Sequence, residues 1–359
     1  MREVSDGTRA RTTADTYRQR LRAVILPAMG KWRLYECTVP NVDGFVRGLA
    51  ATQSPESRKT VRTVVSQILR LAVQHEALRD NPVRHLDPIE AGSKKARALT
   101  AEERKRFLGW MHGTAANETE ARAQKAARRR DLPDFVTFML GTGVRIGEAL
   151  AVRWCDVDLE GIPVVDGDDM RLVPIVAITG NVVRYRGAGL HRHAGKTATS
   201  LRIVPLPQFV GTMLAQREVH GPDVPVFPAA RQDGHVPADR PATSVRRHHV
   251  AQREVHGPDV PVFPAAASRR PGLNWKDPHN ISTYIREARK AAKMGWPVTS
   301  HTFRKTAATI WHDSGLLTDR QKADLTGHAK ISTLTDIYVA RGELHPQGAV
   351  VMDAAWLDT

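Results

Sequence analysis

The chain has only two cysteines, Cys37 and Cys155, among 359 residues. Two isolated thiols exclude a disulfide framework and a four-cysteine metal site, and both read as reduced, half-buried side chains. Aromatic residues are also scarce, at 6%. No apolar run approaches the roughly 20 residues that a membrane-spanning helix needs. The start Met1-Arg2-Glu3-Val4-Ser5-Asp6 lacks the apolar block of a secretory signal. These absences give the expectation of a soluble, cytoplasmic protein with no membrane partner. The phosphate-loop pattern GxxxxGK[ST], the metalloprotease pattern HExxH and any cysteine–histidine ligand spacing are missing too, so no cofactor and no metal is expected. Acidic residues are the last shortfall. The 38 Asp and Glu against 53 Lys and Arg leave a formal net charge of +15 and a pI near 10.2, a field that favours a polyanionic partner, of which nucleic acid is the obvious one.

What is present is an ordinary globular composition, 41% hydrophobic and 25% charged. The length exceeds what one core usually holds, so two domains are expected. Positive charge is denser at the N-terminal end: residues 1–95 carry 17 basic and 10 acidic residues, and the remainder carries 36 and 28.

Helical periodicity dominates the first 90 residues. Tyr17, Leu21, Val24 and Ile25 share one face of a helix expected to stop before Pro27. Ser54-Pro55 has the form of an N-cap and first-turn proline. Beyond it, Val61, Val64, Val65, Ile68, Leu71 and Ala72 recur at helical spacing, with Asn81-Pro82 as the expected stop. Residues 1–92 are therefore read as an all-α bundle with basic faces, 93–98 as a linker and 99–359 as a second domain. The second domain opens with a capping-box pattern, Thr100 with Glu103. It mixes helices at Phe135–Leu140 and Ile146–Val152 with strand-like β-branched stretches at Val173–Val183 and Leu201–Leu206, and returns to helix from Thr283 onward. The expected class is mainly α with a small antiparallel β-sheet. Residues 115–130, rich in Ala, Arg and Glu without an apolar stripe, read as a solvated helix or an insertion.

The segment AQREVHGPDVPVFPAA occurs twice without a change, at residues 215–230 and 251–266. Repeat architectures diverge and come in threes or more, so an identical pair reads as a recent tandem duplication. One copy is expected to protrude as a loop, because closure entropy rises slowly with loop length.

The polar residues that carry chemistry lie in a fixed order. Arg145 follows the Gly141-Thr142-Gly143 turn, with Glu148 one helical turn later. Lys196 sits in the polar turn between strands. His301 and Arg304 share a helix face in Ser300-His301-Thr302-Phe303-Arg304, and Gly327-His328 precedes Tyr338 by ten residues. Taken singly each has a bland structural reading, but together, in order and with these flanks, they resemble the tyrosine recombinase (phage integrase) family over nearly the whole chain. The resemblance implies a helical core-binding domain followed by a catalytic domain that breaks and rejoins DNA at specific sites.

Two guanidiniums suit a phosphodiester because their planar forks can bind its oxygens as charge develops in the transition state. Arg145 and Arg304 fit that role. A phenol is only about one part in a thousand ionised at pH 7, so Tyr338 needs a proton acceptor or cationic surroundings to attack. By resemblance, Tyr338 is the nucleophile that forms a 3′-phosphotyrosyl intermediate, His301 the base, Lys196 the acid that protonates the leaving 5′-oxygen, and His328 a hydrogen-bond donor to the phosphate. Glu148 supports the site. The resemblance further implies double-stranded DNA recombination sites of a phage or mobile element, a homotetramer on DNA and DNA-bending accessory proteins. The tail 339–359, with Val350, Val351, Ala354, Trp356 and Leu357 as apolar contacts, would dock on a neighbouring protomer or fold back on its own domain. Two rival readings are a catalytically impaired DNA-binding remnant, in which the duplication prevents assembly, and a type IB topoisomerase. The aspartates Asp166, Asp168 and Asp169 fall in a turn and read as solvated rather than as a metal site.

Overall fold

A computed structural model describes residues 11–90, 97–166, 169–185, 187–194, 201–218, 275–327 and 345–357. The chain divides into two compact units, one of Met1–Lys95 with the short stretch Tyr185–Gly187, the other of the remaining residues. No helix among the described residues is long and apolar enough to cross a membrane.

In the first unit α1 (Arg11–Arg20) leads through a π turn at Leu21–Ile25 into α2 (Leu26–Met29). The helical path thus continues past Pro27, where the sequence reading ends it. The wide turn is the reason: Leu26 N–H reaches back to Leu21 O, and Pro27 sits in the first turn of α2, where its missing donor costs little. Next come α3 (Val39–Gly48) and α4 (Pro55–Gln74), the latter capped by Ser54, whose hydroxyl accepts from Ser57 N–H. α4 stops at Gln74 rather than near Asn81, because His75 caps it and Glu76 turns to φ 57°. Its buried face is Val61, Val64, Val65 and Leu69, while Ile68 and Leu71 are exposed.

The second unit is built on helices packed around one core. α5 (Ala101–His112) starts from the Thr100–Glu103 capping box; α6 (Glu118–Arg129) and α7 (Leu132–Thr142) follow. α6 is not merely solvated: Gln124 and Ala127 are buried, and Arg128 donates to the carbonyls of Met111 and Gly113. α7 is buried on every side, as suits a central helix. After α8 (Ile146–Ala151) the chain forms β1 (Val157–Asp166), β2 (Asp169–Ile178) and, later, β5 (Arg202–Pro205), an antiparallel sheet in the order β1-β2-β5. β3 (Gly180–Tyr185) and β4 (Gly189–Ala194) form a separate hairpin, so the strand-like run from Val173 is split at Thr179. α9 (Gln208–Glu218), α10 (Pro278–Ala291), α11 (Ser300–Asp313), α12 (Asp319–Thr326) and α13 (Gln347–Leu357) complete it. The fold class is therefore mostly helical with a small antiparallel sheet, as expected from the sequence.

The core is centred on Phe107, Phe135, Phe138, Met139, Leu150, Phe303 and Trp311, all essentially inaccessible. α13 packs on its own domain. Trp311 Nε1–H donates to Gly348 O at 2.9 Å, Gln208 N–H to the Asp353 carboxylate at 2.9 Å, and Trp356 stacks on Phe209 at 3.9 Å. Val351 is buried there, whereas Val350, Ala354 and Leu357 are exposed. Cys155 is also exposed rather than half-buried, and Cys37 is partly covered.

The duplicated segments lie mostly outside the described residues, but both borders of that stretch are fixed. Arg217, in the first copy, pairs with Asp134 and, at 3.2 Å, with Asp131; Lys276, beyond the second copy, binds Asp131 at 2.6 Å. Asp131 is held at φ 58° just before α7. The two chain ends therefore meet in one buried ion cluster. Deleting residues 216–251, which restores one copy and puts Arg253 in the place of Arg217, shortens a connection whose ends are already joined. The shortened protein is expected to keep its fold and gain about 1 kcal/mol or less. Denaturant titration of both forms checks this; failure of the shortened form to fold would mean that the segment belongs to the core.

Candidate functional site

The site is organised around the C-terminus of α12. A helix leaves its last carbonyls without intrahelical donors, and its dipole makes that end negative. Gly327, at φ 62°, ends α12 in a left-handed turn and turns three successive carbonyls outward. Each receives a different arginine. Arg202 Nε donates to Leu325 O at 3.1 Å, Arg304 Nη2 to Thr326 O, and Arg145 Nη2 to Gly327 O at 3.3 Å.

Each arginine comes from a different element. Arg145 is the N-cap of α8, directly after the α7 C-cap Gly143 and Val144. Its backbone N–H and its Nη1 both donate to Glu148, at 2.9 and 2.8 Å. Arg304 lies on α11, whose N-cap Thr299 exchanges hydrogen bonds with Thr302, and its Nη1 donates to Gly143 O at 2.9 Å. Arg202 enters from β5, where register opposite Ile178 fixes it. Its Nη2 donates to Glu148 at 2.8 Å. Glu148 thus bridges Arg145 and Arg202, and Gly143 joins α7 to Arg304.

Exposure separates their roles. The Arg145 side chain is 48% exposed, that of Arg202 is 6% exposed, and Arg304 as a residue is 4% exposed. Burial pushes the Arg304 guanidinium down to about 10, with the charges of Arg145 and Arg202 adding to the effect and Glu148 opposing it. Burial would push the Glu148 carboxyl up, but Arg202 first and Arg145 second outweigh it and hold it at about 2. Three guanidiniums and one carboxylate leave this cluster with a net positive charge in a partly dry setting. Such a cluster favours an anion that can take bidentate hydrogen bonds.

Among the sequence-derived site residues, the structure brings Arg145, Glu148 and Arg304 together. His301 lies one turn before Arg304 on α11 and is exposed. Lys196, His328 and Tyr338 lie outside the described residues. Arg202 was missed by the sequence reading, although a signal existed. In Leu201–Leu206, residues 202, 204 and 206 alternate onto one face, and an arginine on the inward face of a strand is buried only when paired.

In the first unit, exposed Lys59, Thr63 and Arg70 recur along one side of α4 and, with Arg84, line a groove of ≈ 670 Å³. The neighbouring Arg62 is used internally, donating to the carbonyls of Val83, Leu86 and Asp87.

The family model of the phage integrase central domain matches residues 2–88. Among solved structures, the Tn1549 transposon integrase in complex with a circular intermediate DNA superposes with a TM-score of 0.65 at 13% identity, over 92% of this chain and 89% of that one. A lambda integrase dimer bound to a core site gives 0.53 at 17% identity, over 91% and 71%. A lambda integrase tetramer bound to a Holliday junction gives 0.53 at 16%, over 93% and 76%. A comparison with curated proteins finds no match. Residues 2–88 are thus similar to a phage integrase central domain, and the chain shares its overall fold with the Tn1549 and lambda integrases.

Gly143 is the pivot that joins α7, α8 and Arg304. Its φ is 61°, and a Cβ there would meet the Trp311 ring at 2.9 Å. Gly143→Ala is expected to destabilise the protein by about 2–4 kcal/mol, combining backbone strain with overpacking. Gly315→Ala, at φ 69° but with nothing within 4 Å, isolates the strain and should cost about 1 kcal/mol. Equal losses in thermal melts of the two variants would contradict the packing role of Trp311.

Proposed function

We propose that the protein is a site-specific recombinase that cuts and rejoins double-stranded DNA through a covalent phosphotyrosyl intermediate. The observation that carries this reading is the convergence of Arg145, Arg202 and Arg304 on the carbonyls of Leu325, Thr326 and Gly327, one residue before His328. An excess of guanidinium over carboxylate, held rigid and partly buried, complements the charge that develops on a phosphodiester during in-line attack. The basic composition and the polar, basic side of α4 support a duplex as the substrate, with phosphate contacts positioning it.

In this scheme Arg145 and Arg304 bind the non-bridging oxygens of the scissile phosphate, and Glu148 keeps Arg145 in place. Tyr338 Oη attacks phosphorus as its proton passes to His301. The Tyr338 O–P bond forms, the P–O5′ bond breaks, and Lys196 protonates the departing 5′-oxygen. His328 donates a hydrogen bond to the phosphate. The free 5′-hydroxyl of a partner strand then reverses the step on the stored phosphodiester bond, so no external energy source enters. Integration or excision of a phage or mobile element by a protein tetramer on two duplexes is the setting this chemistry fits. DNA-bending proteins would assist there. The meeting of Arg217 and Lys276 at Asp131 favours an assembled catalytic domain over an impaired remnant, since the duplicated region leaves and re-enters at one place.

A library of nicked duplexes with randomised centres tests the reading. The wild-type protein is expected to trap its own sites as denaturant-resistant adducts. Tyr338→Phe should give none, and Arg145→Ala or Arg304→Ala should slow trapping by about a hundredfold or more. Adduct formation by Tyr338→Phe at the wild-type rate, or no adduct with any duplex, contradicts it.

A further inference from the structure

Arg202 stands apart from the residues that the sequence motifs single out. Its guanidinium touches both halves of the site at once, the Glu148 carboxylate at 2.8 Å and the Leu325 carbonyl at 3.1 Å. Its side chain is 6% exposed, and its Nη1 is buried with no hydrogen-bond partner among the described residues. An arginine held so deeply, with one N–H group unpaired, costs stability relative to an apolar side chain of the same length. That cost has a counterpart in geometry. Arg145 hangs from Glu148 on one side and Gly327 O on the other, and Arg304 from Gly143 O and Thr326 O. Arg202 closes the path from Glu148 to Leu325, so that α8 and the end of α12 are fixed in one register.

We propose that Arg202 is a positioning residue for the phosphate clamp: by tying Glu148 to the carbonyl end of α12 it sets the spacing and direction of Arg145 and Arg304. The inference rests on the reading of those two arginines as phosphate ligands. Arg202 itself is too enclosed to meet a DNA strand and acts through its neighbours. Among the described residues, the charged groups facing Glu148 are Arg145 from its own helix start, Arg202 from β5 and Arg304 from α11, while α12 presents main-chain carbonyls. Without Arg202, Glu148 keeps Arg145 as its hydrogen-bonding partner and stays buried, so its proton affinity rises. Once protonated, it no longer holds Arg145 as a charged acceptor, and activity falls at acid pH more steeply than the protonation of the base His301 alone would make it.

Carbon-13 NMR titration of the Glu148 carboxyl, with trapping rates on the duplex captured by the wild type, tests this for Arg202→Met, Arg202→Lys and the double variant Arg202→Met/Glu148→Gln. The Glu148 midpoint is expected to rise by about 4 pH units in Arg202→Met and to stay low in Arg202→Lys. The ratio of trapping rates at pH 8 and pH 5 should grow about tenfold over the wild-type ratio in Arg202→Met, and the double variant should be slow at both values with the wild-type ratio. A merely structural role lowers the rate equally at all pH values. An unmoved Glu148 midpoint, or a pH profile parallel to wild type, overturns the proposal. If Arg202→Met fails to fold, Arg202→Gln replaces it, with the same expected rise in midpoint. Should the wild type trap no duplex at all, the recombinase reading fails on its own, and the titration, which needs no DNA, still decides whether Arg202 controls Glu148.

Discussion

The constraint on which the site depends is electrostatic: three arginines must sit close together, two of them largely out of water, with one carboxylate to balance them. Like charges at that range repel, and each loses hydration. The C-terminus of α12 resolves the conflict. Its last carbonyls need donors in any case, and its dipole supplies negative charge where the guanidiniums gather. The left-handed turn at Gly327 exposes those carbonyls one after another, so that helix capping and site assembly are the same set of hydrogen bonds. The net positive charge that remains is what an anionic ligand would neutralise.

The rest of the domain can be understood as the means of holding those contacts. α7 runs through the centre of the core and ends at Gly143, whose carbonyl binds Arg304 and whose missing side chain leaves room for Trp311. Trp311 in turn donates to Gly348 on α13, so the C-terminal helix is tied to the same column of packing. His345, just before α13, lies 3.4 Å from Asp324 on α12. The chain therefore leaves α12 at Gly327 and comes back to it at His345, and the segment between carries His328 and Tyr338.

Much of this was legible in the sequence because local chemistry and global fold agree there. Ser54-Pro55 and Thr100 with Glu103 are caps in sequence and in structure. Arg145 and Arg304 could be chosen through the family resemblance, which their order and flanks carry together and neither carries alone. The misses have physical causes. A π turn carries the first helix past Pro27, which periodicity cannot foresee. α6 lacks apolar residues because it buries Gln124 and uses Arg128 to close carbonyls. For Arg202 the alternation in Leu201–Leu206 marks a buried arginine but not its partners, Glu148 and Leu325, which lie more than 50 positions away. The duplicated region shows the converse: its sequence is conspicuous, yet what ties its borders to the fold, Arg217 and Lys276 meeting at Asp131, has no motif to announce it.

The central claim is that the arginine cluster at the end of α12 exists to hold a phosphodiester. A structure of the protein bound to a nicked duplex, with vanadate bridging the nick, tests it most directly. Vanadate oxygens are expected within about 3 Å of the Arg145 and Arg304 guanidiniums, with the Tyr338 hydroxyl in line with the vanadium. A vanadate bound elsewhere, with both arginines still facing only carbonyls and Glu148, would contradict it.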